Sequence, residues 1–176
     1  MFDRFTEPTR RTTIRAGTLA LDAGHPTLTA GPLLLALAET RPFELAAFTA
    51  TPAALRAHVR LGDAHALLAT LGIDLDEVRR RTRHGTDDPA RWRLTRSRLN
   101  PLRVALYGPL GVIPLAAHVR KVVEVACWRP GPVTGERLLH GLLADHANGA
   151  ARILRATGVD LPALIREAGM PVRGAA

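Results

Sequence analysis

Cysteine is almost missing from this chain of 176 residues: Cys127 stands alone. No disulfide can form within the chain, and no Cys/His cluster has the spacing of a structural zinc site. Lysine and serine are equally scarce. The only lysine, Lys121, follows Arg120 in a stretch without glycine. No Gly-x-x-x-x-Gly-Lys-Ser/Thr segment occurs, which excludes ATP hydrolysis through a phosphate loop. The only serine, Ser97, lies among arginines and has no nucleophile-elbow context, so hydrolase chemistry is unsupported. Aromatic residues are 4% of the chain against 47% hydrophobic residues. The core must therefore be built from Leu, Val, Ile and Ala, which favours helix packed on helix in one compact domain. No apolar run approaches the roughly 20 residues that cross a bilayer. The opening Met1-Phe2-Asp3-Arg4 has no signal-peptide apolar region, so a cytoplasmic protein is expected. His140 and His146 fall on different faces of a helix, and His25 reads as a helix-terminal group. Neither a metal, nor a cofactor, nor a catalytic residue is expected.

What the chain has in excess is arginine. The formal net charge is +8, and all but one of the 24 basic residues are Arg. The densest group is Arg79, Arg80, Arg81 and Arg83, followed by Arg91, Arg93, Arg96, Arg98 and Arg103, with Asp87 and Asp88 interrupting. Trp92 between Arg91 and Arg93 could stack on a base while guanidiniums hold phosphates. A solvated linker with its arginines paired to acidic groups is the preferred reading of the same residues.

The second feature is repetition. Leu71-Gly72-Ile73-Asp74-Leu75 returns as Thr157-Gly158-Val159-Asp160-Leu161. The block from Thr29 to Leu37 returns from Thr134 to Leu142. Phe5-Thr6 with Arg10-Arg11 and Ala16 matches Leu115-Ala116 with Arg120-Lys121 and Ala126. The shift between copies is 110 at Phe5/Leu115, 105 at Thr29/Thr134 and 86 at Gly72/Gly158. The first unit therefore carries an insertion within 41–67. The expected organisation is repeat one at 1–83, a linker at 84–113 rich in Gly and Pro, and repeat two at 114–170.

Helix signals fit that plan. Thr6-Glu7-Pro8 opens a helix that stops at Gly24-His25-Pro26, and Thr29 opens another that closes at Arg41-Pro42. Residues 42–71 read as further helix, broken near Thr51-Pro52 and Gly62. Asp74 caps a short helix. In the second unit, helices are expected over 115–128, from Thr134, over 147–157, and over 161–168 with Asp160 as cap. Residues 102–107 are too few to decide between helix and strand. The fold class expected is all-α, a pseudo-twofold duplicated helical repeat.

The opening Met1-Phe2-Asp3-Arg4-Phe5-Thr6, Arg10-Arg11 and His25 resemble the N-terminal domain of ClpC/ClpA-type unfoldase chaperones. So do Gly135-Glu136-Arg137-Leu138-Leu139-His140-Gly141-Leu142 and Gly158-Val159-Asp160-Leu161. The resemblance covers most of the chain except the insertion and the linker. It implies an all-helical pseudo-twofold domain, without a motor here, that receives protein substrates and adaptors of the Clp protease system. In that family a Glu at the start of the second helix of each repeat helps to bind phosphorylated arginine. The second copy keeps this pattern as Thr134, Gly135 and Glu136, whereas the first has Gly31 and Pro32 instead, so one site at most is implied. The physics is sound, because helix N-terminal amides accept an anion and a carboxylate pairs a guanidinium. The simpler reading of Glu136 is a favourable charge at the end of its helix dipole. Family positions that hold cyclic peptide antibiotics map onto Phe2, Arg10, Leu115 and Glu124, with Leu115 where the family has Phe. Phe5 is read as a core plug, and Phe2 as either plug or contact.

The resulting expectation is a non-enzymatic protein- and peptide-binding domain, a decoy for phosphoarginine substrates, adaptors or cyclic peptide antibiotics. No membrane or nucleic-acid partner is expected. The alternative is an Arg-rich DNA-binding regulator, since helix, Gly24 turn and helix imitate helix-turn-helix spacing.

Overall fold

The helix-start signal at Thr6-Glu7-Pro8 is realised in the computed structural model, which describes residues 2–59, 88–97, 103–145 and 148–169. Helix α1 spans Glu7–Asp22, with Thr6 in extended conformation before it and Pro8 in its first turn, where no amide donor is needed. Helix α2 spans Ala30–Thr40 and ends at Arg41, whose left-handed φ of 42° breaks the helix immediately before Pro42. Helix α3, Pro52–His58, starts where the Thr51 hydroxyl accepts from the Ala54 amide at 3.2 Å. Residues 42–51 are irregular and not helical. The other half contains α4 (Ala117–Trp128), α5 (Gly135–Ala144), α6 (Ala150–Ala156) and α7 (Leu161–Glu167). Asp160 caps α7 through the Ala163 amide, as its position predicts. The first copy of the 71–75 block, the Asp74 cap, Arg79–Arg83, Arg98 and His146 lie outside the described residues.

The expectation of an all-α fold is wrong. Three strands, β1 (Arg93–Arg96), β2 (Val104–Gly108) and β3 (Gly111–Pro114), form an antiparallel sheet in the order β1-β2-β3. The protein is helices plus a small sheet, and the sheet occupies the interval that Gly and Pro mark as a linker. The breakers belong to its turn. Gly108 pairs with Gly111 across Pro109-Leu110, and Gly111 has φ +128°, a conformation that only glycine adopts readily. Strands of four and five residues are too short for their alternation to stand out, which is why composition alone hides them.

One face of the sheet is core. Leu94, Leu106 and Ile113 lie side by side across the three strands and are all fully buried. Trp92 is 3% exposed and covers Gly108 so closely that a Cβ there would stand 2.2 Å from its indole. The reading of Trp92 as an exposed stacking residue is thereby corrected: it is a core side chain. The sheet rests on α1 at Gly17, where an added Cβ would stand 2.4 Å from Leu106 Cδ2. Gly within a helix costs about 1 kcal/mol relative to Ala, and here the notch admits the sheet.

The halves meet along a seam whose bonds obey the sequence repeat. Phe5 bridges Val133 in parallel, and Leu115 bridges Leu28. By the shifts of 110 and 105, these are one contact made twice. Thr6 N donates to Val133 O and Ala116 N to Leu28 O, both at 3.0 Å. Val133 N donates to Arg4 O at 2.6 Å and Leu28 N to Pro114 O at 2.8 Å. The backbone agrees as well: φ and ψ are −61° and 154° at Thr6 against −59° and 154° at Ala116. They are −103° and 175° at Thr29 against −98° and 170° at Thr134.

Two carboxylates tie elements together. Glu39 on α2 accepts from Arg15 Nε on α1 at 2.6 Å and from Arg56 on α3. Glu167 at the end of α7 accepts from the Ala46 and Ala47 amides, both at 2.7 Å, fixing the irregular segment that precedes α3.

Candidate functional site

Each half places a helix N-terminus directly after the seam, and the two ends differ. At α2 the Ala30 amide donates to His118 Nε2 at 3.2 Å, so a side chain from α4 already closes that end. At α5, Thr134 makes no side-chain cap. Among the described residues, the half-buried Glu136 carboxylate in its first turn has no hydrogen-bond or ion-pair partner. Access is nonetheless tight. Gly135 is buried against the irregular segment, and a Cβ there would lie 2.5 Å from Pro42 Cγ and 2.6 Å from the Pro42 carbonyl oxygen. An anion at α5 must approach from the Thr134 and Glu136 side.

The peptide-groove positions fall into two groups. Phe2, in a short 3-10 helix at Phe2–Arg4, is 5% exposed and meets Phe5 edge to face at 5.3 Å between centroids. The Arg10 guanidinium lies over the Phe2 ring, 5.7 Å from its centroid. Arg10 Nε is buried and has no hydrogen-bond partner among the described residues. Buried donors almost always find an acceptor, which sets Arg10 Nε apart from the paired arginines of the protein. In the other group, Leu115 is buried in the seam, and Glu124 on α4 is half exposed. Glu124 Oε1 accepts from Arg96 of β1 at 2.9 Å and lies 3.9 Å from Arg120 Nε. The structure therefore joins Phe2 with Arg10, and Glu124 with Arg96 and Arg120. Phe2 and Leu115 offer a ligand little surface; Arg10 and Glu124 offer polar groups.

Four neighbours of these positions escape the sequence. Arg96 belongs to the arginine cluster, but nothing in its spacing points to Glu124. His118 carries no signal as a helix-end partner for a residue 88 positions away. Arg4 donates to the carbonyl oxygens of Cys127, Arg129 and Gly131 at 2.9, 2.5 and 3.1 Å, and Arg137 donates to those of Arg129 and Pro130. Together the two arginines satisfy the exposed carbonyls that end α4. A depression of about 420 Å³ opens there, lined by Asp3, Arg4, Phe5, Thr6, Gly131 and Pro132.

Burial shifts two titrating groups at this end. Burial pushes the Cys127 thiol above its usual range despite the opposing charge of Arg4, so the thiolate is disfavoured. Burial, with Arg129 adding repulsion, lowers the His140 pKa and keeps its imidazole neutral. Among the described residues no three His, Cys, Asp or Glu side chains gather as a metal site. Nor is any helix among them long and apolar enough to cross a membrane. A scan against protein-family models finds no match to this chain, and a search of curated proteins also finds none.

Proposed function

We propose that this protein is a non-enzymatic binding domain similar in role to the substrate- and adaptor-receiving domain of ClpC-type unfoldases. In this role it captures peptide segments, phosphoarginine-bearing substrates or cyclic peptide antibiotics and withholds them from the unfoldase. The observation that carries the reading is the buried, unpartnered Arg10 Nε beside Phe2. On this reading the Arg10 guanidinium supplies the donor for a peptide carbonyl. The Glu136 carboxylate at the start of α5, which has no partner among the described residues, supports a single phosphoarginine site, the guanidinium pairing with Glu136 and the phosphate with the helix-end amides.

Isothermal calorimetry with phosphoarginine and with a ClpC-targeting cyclic peptide tests the proposal. Glu136→Gln should weaken phosphoarginine binding by about ten-fold, the loss of one charge-assisted pair, and leave the cyclic peptide unaffected; Arg10→Ala should do the reverse. Absence of binding by either ligand would leave only adaptor docking. The helix-turn-helix alternative has less support. Helix α2 buries Ala30 and every residue from Pro32 to Ala38, which leaves no face for a major groove.

A further inference from the structure

The outer face of the sheet has no role in the peptide-binding reading, and its chemistry is distinct. Strand alternation puts Leu94, Leu106 and Ile113 inside and sends Arg93, Thr95, Arg103, Ala105, Tyr107 and Val112 to the other side. Arg93 pairs directly with Tyr107, and Tyr107 with Val112. Thr95 pairs with Ala105, and the Ser97 amide donates to the Arg103 carbonyl at 2.8 Å, carrying the ladder one step further. Tyr107 is 44% exposed and Val112 52%. Among the described residues, the Arg93 and Arg103 guanidiniums have no ion pair or hydrogen bond, and the three strands carry no Asp or Glu.

We infer that the outer face of the β1-β2-β3 sheet binds single-stranded nucleic acid, with Tyr107 stacking on a base and Arg93 and Arg103 holding phosphates. The layout fits that ligand. Thr95 and Ala105 make a floor of small side chains, with Arg93 and Tyr107 at one end and Arg103 at the other, about 13 Å along the strand. A flat ring beside a guanidinium accepts any base, and two cations spaced along a strand follow a phosphodiester backbone. A duplex hides its base faces and gives Tyr107 nothing to stack on. An acidic peptide would use the two charges but has no base to lay on the Tyr107 ring. The net charge of +8 brings a polyanion to the surface, while Tyr107 distinguishes a base from any other polyanion. This inference stands apart from peptide binding, because none of these residues belongs to that site.

Fluorescence anisotropy of the full chain with a labelled oligo(dT) of about ten nucleotides tests it. Tyr107→Ala should weaken binding at least ~10-fold, the loss of one base–aromatic stack, while Tyr107→Phe should bind as the parent does. Arg93→Ala and Arg103→Ala should each flatten the dependence of log affinity on log salt by about 0.7, the value for one single-strand phosphate. Circular dichroism establishes that each variant is folded. Unchanged affinity in a folded Tyr107→Ala variant overturns the inference, as does equal binding of a duplex of the same length. A polyglutamate peptide whose binding also requires Tyr107 overturns it in favour of an acidic protein partner.

Discussion

At the scale of single residues, identical side chains have opposite fates. The two tryptophans are the clearest pair: Trp92 is 3% exposed under the sheet, whereas Trp128 at the end of α4 is 86% exposed. Iodide should therefore quench only part of the fluorescence. In Trp128→Phe the remaining emission should be blue-shifted and almost insensitive to iodide; strong quenching of that variant would contradict the burial of Trp92. His140 behaves similarly with respect to charge. The folded state lowers its pKa below the ordinary 6.5, so the unfolded chain takes up the proton first as pH falls. This contribution to stability is complete above pH 6.5 and is lost as pH drops through the lower folded value. Urea denaturation at pH 7.5 and 5.5 should show the decline, and His140→Gln should reduce it. From sequence His140 looked like part of a shared metal candidate and was set aside on spacing alone; its burial and the nearby Arg129 are tertiary facts.

At the scale of elements, helix starts and stops were readable because their determinants are local. Thr6-Glu7-Pro8, Arg41-Pro42, Thr51-Pro52 and Asp160 each act within one turn of the backbone they direct. The sheet was not readable. Its strands are four or five residues long, and Leu94, Leu106 and Ile113 become a row only once the register sets them side by side. One signal was nevertheless present: Gly17, in the middle of an otherwise good helix, is a cost that calls for a packing reason. Gly17→Val should destabilise the protein by about 1–3 kcal/mol through overpacking against Leu106, measured as a lowered urea midpoint. If the variant is as stable as the parent, the sheet does not rest on α1 at this point. The candidate site shows the same division. Glu136 was identifiable from its place at a helix start, but the closure of the matching α2 end by His118 was not.

At the scale of the whole molecule, the repeat becomes a set of bonds. Four seam amides, Thr6, Leu28, Ala116 and Val133, join residues more than eighty positions apart, and the sequence shifts exchange one pair for the other. Each of them forms only with the opposite half in place. Their hydrogen exchange should be slow and should proceed only through global unfolding, all four reporting similar free energies. Much faster exchange at Thr6 and Val133 than at Leu28 and Ala116 would mean that the halves separate on one side first. That Phe5 and Leu115, and Leu28 and Val133, hold corresponding places could be anticipated because duplication leaves matched letters in order. The position of the sheet between them, and the direction its outer face takes, could not.

The sequence by itself determined most helix starts and the aliphatic core, because capping and apolar periodicity are encoded within a few residues of where they act; residues 42–51, expected as helix, are instead irregular chain held by Glu167. Tertiary structure alone decided that the Gly/Pro-rich interval is a sheet, that Trp92 is core, that Arg96 engages Glu124, and that Arg93, Arg103 and Tyr107 share one open face. Those outcomes depend on strand register and on contacts between residues far apart in the chain, and no local pattern specifies which distant partner a side chain will meet.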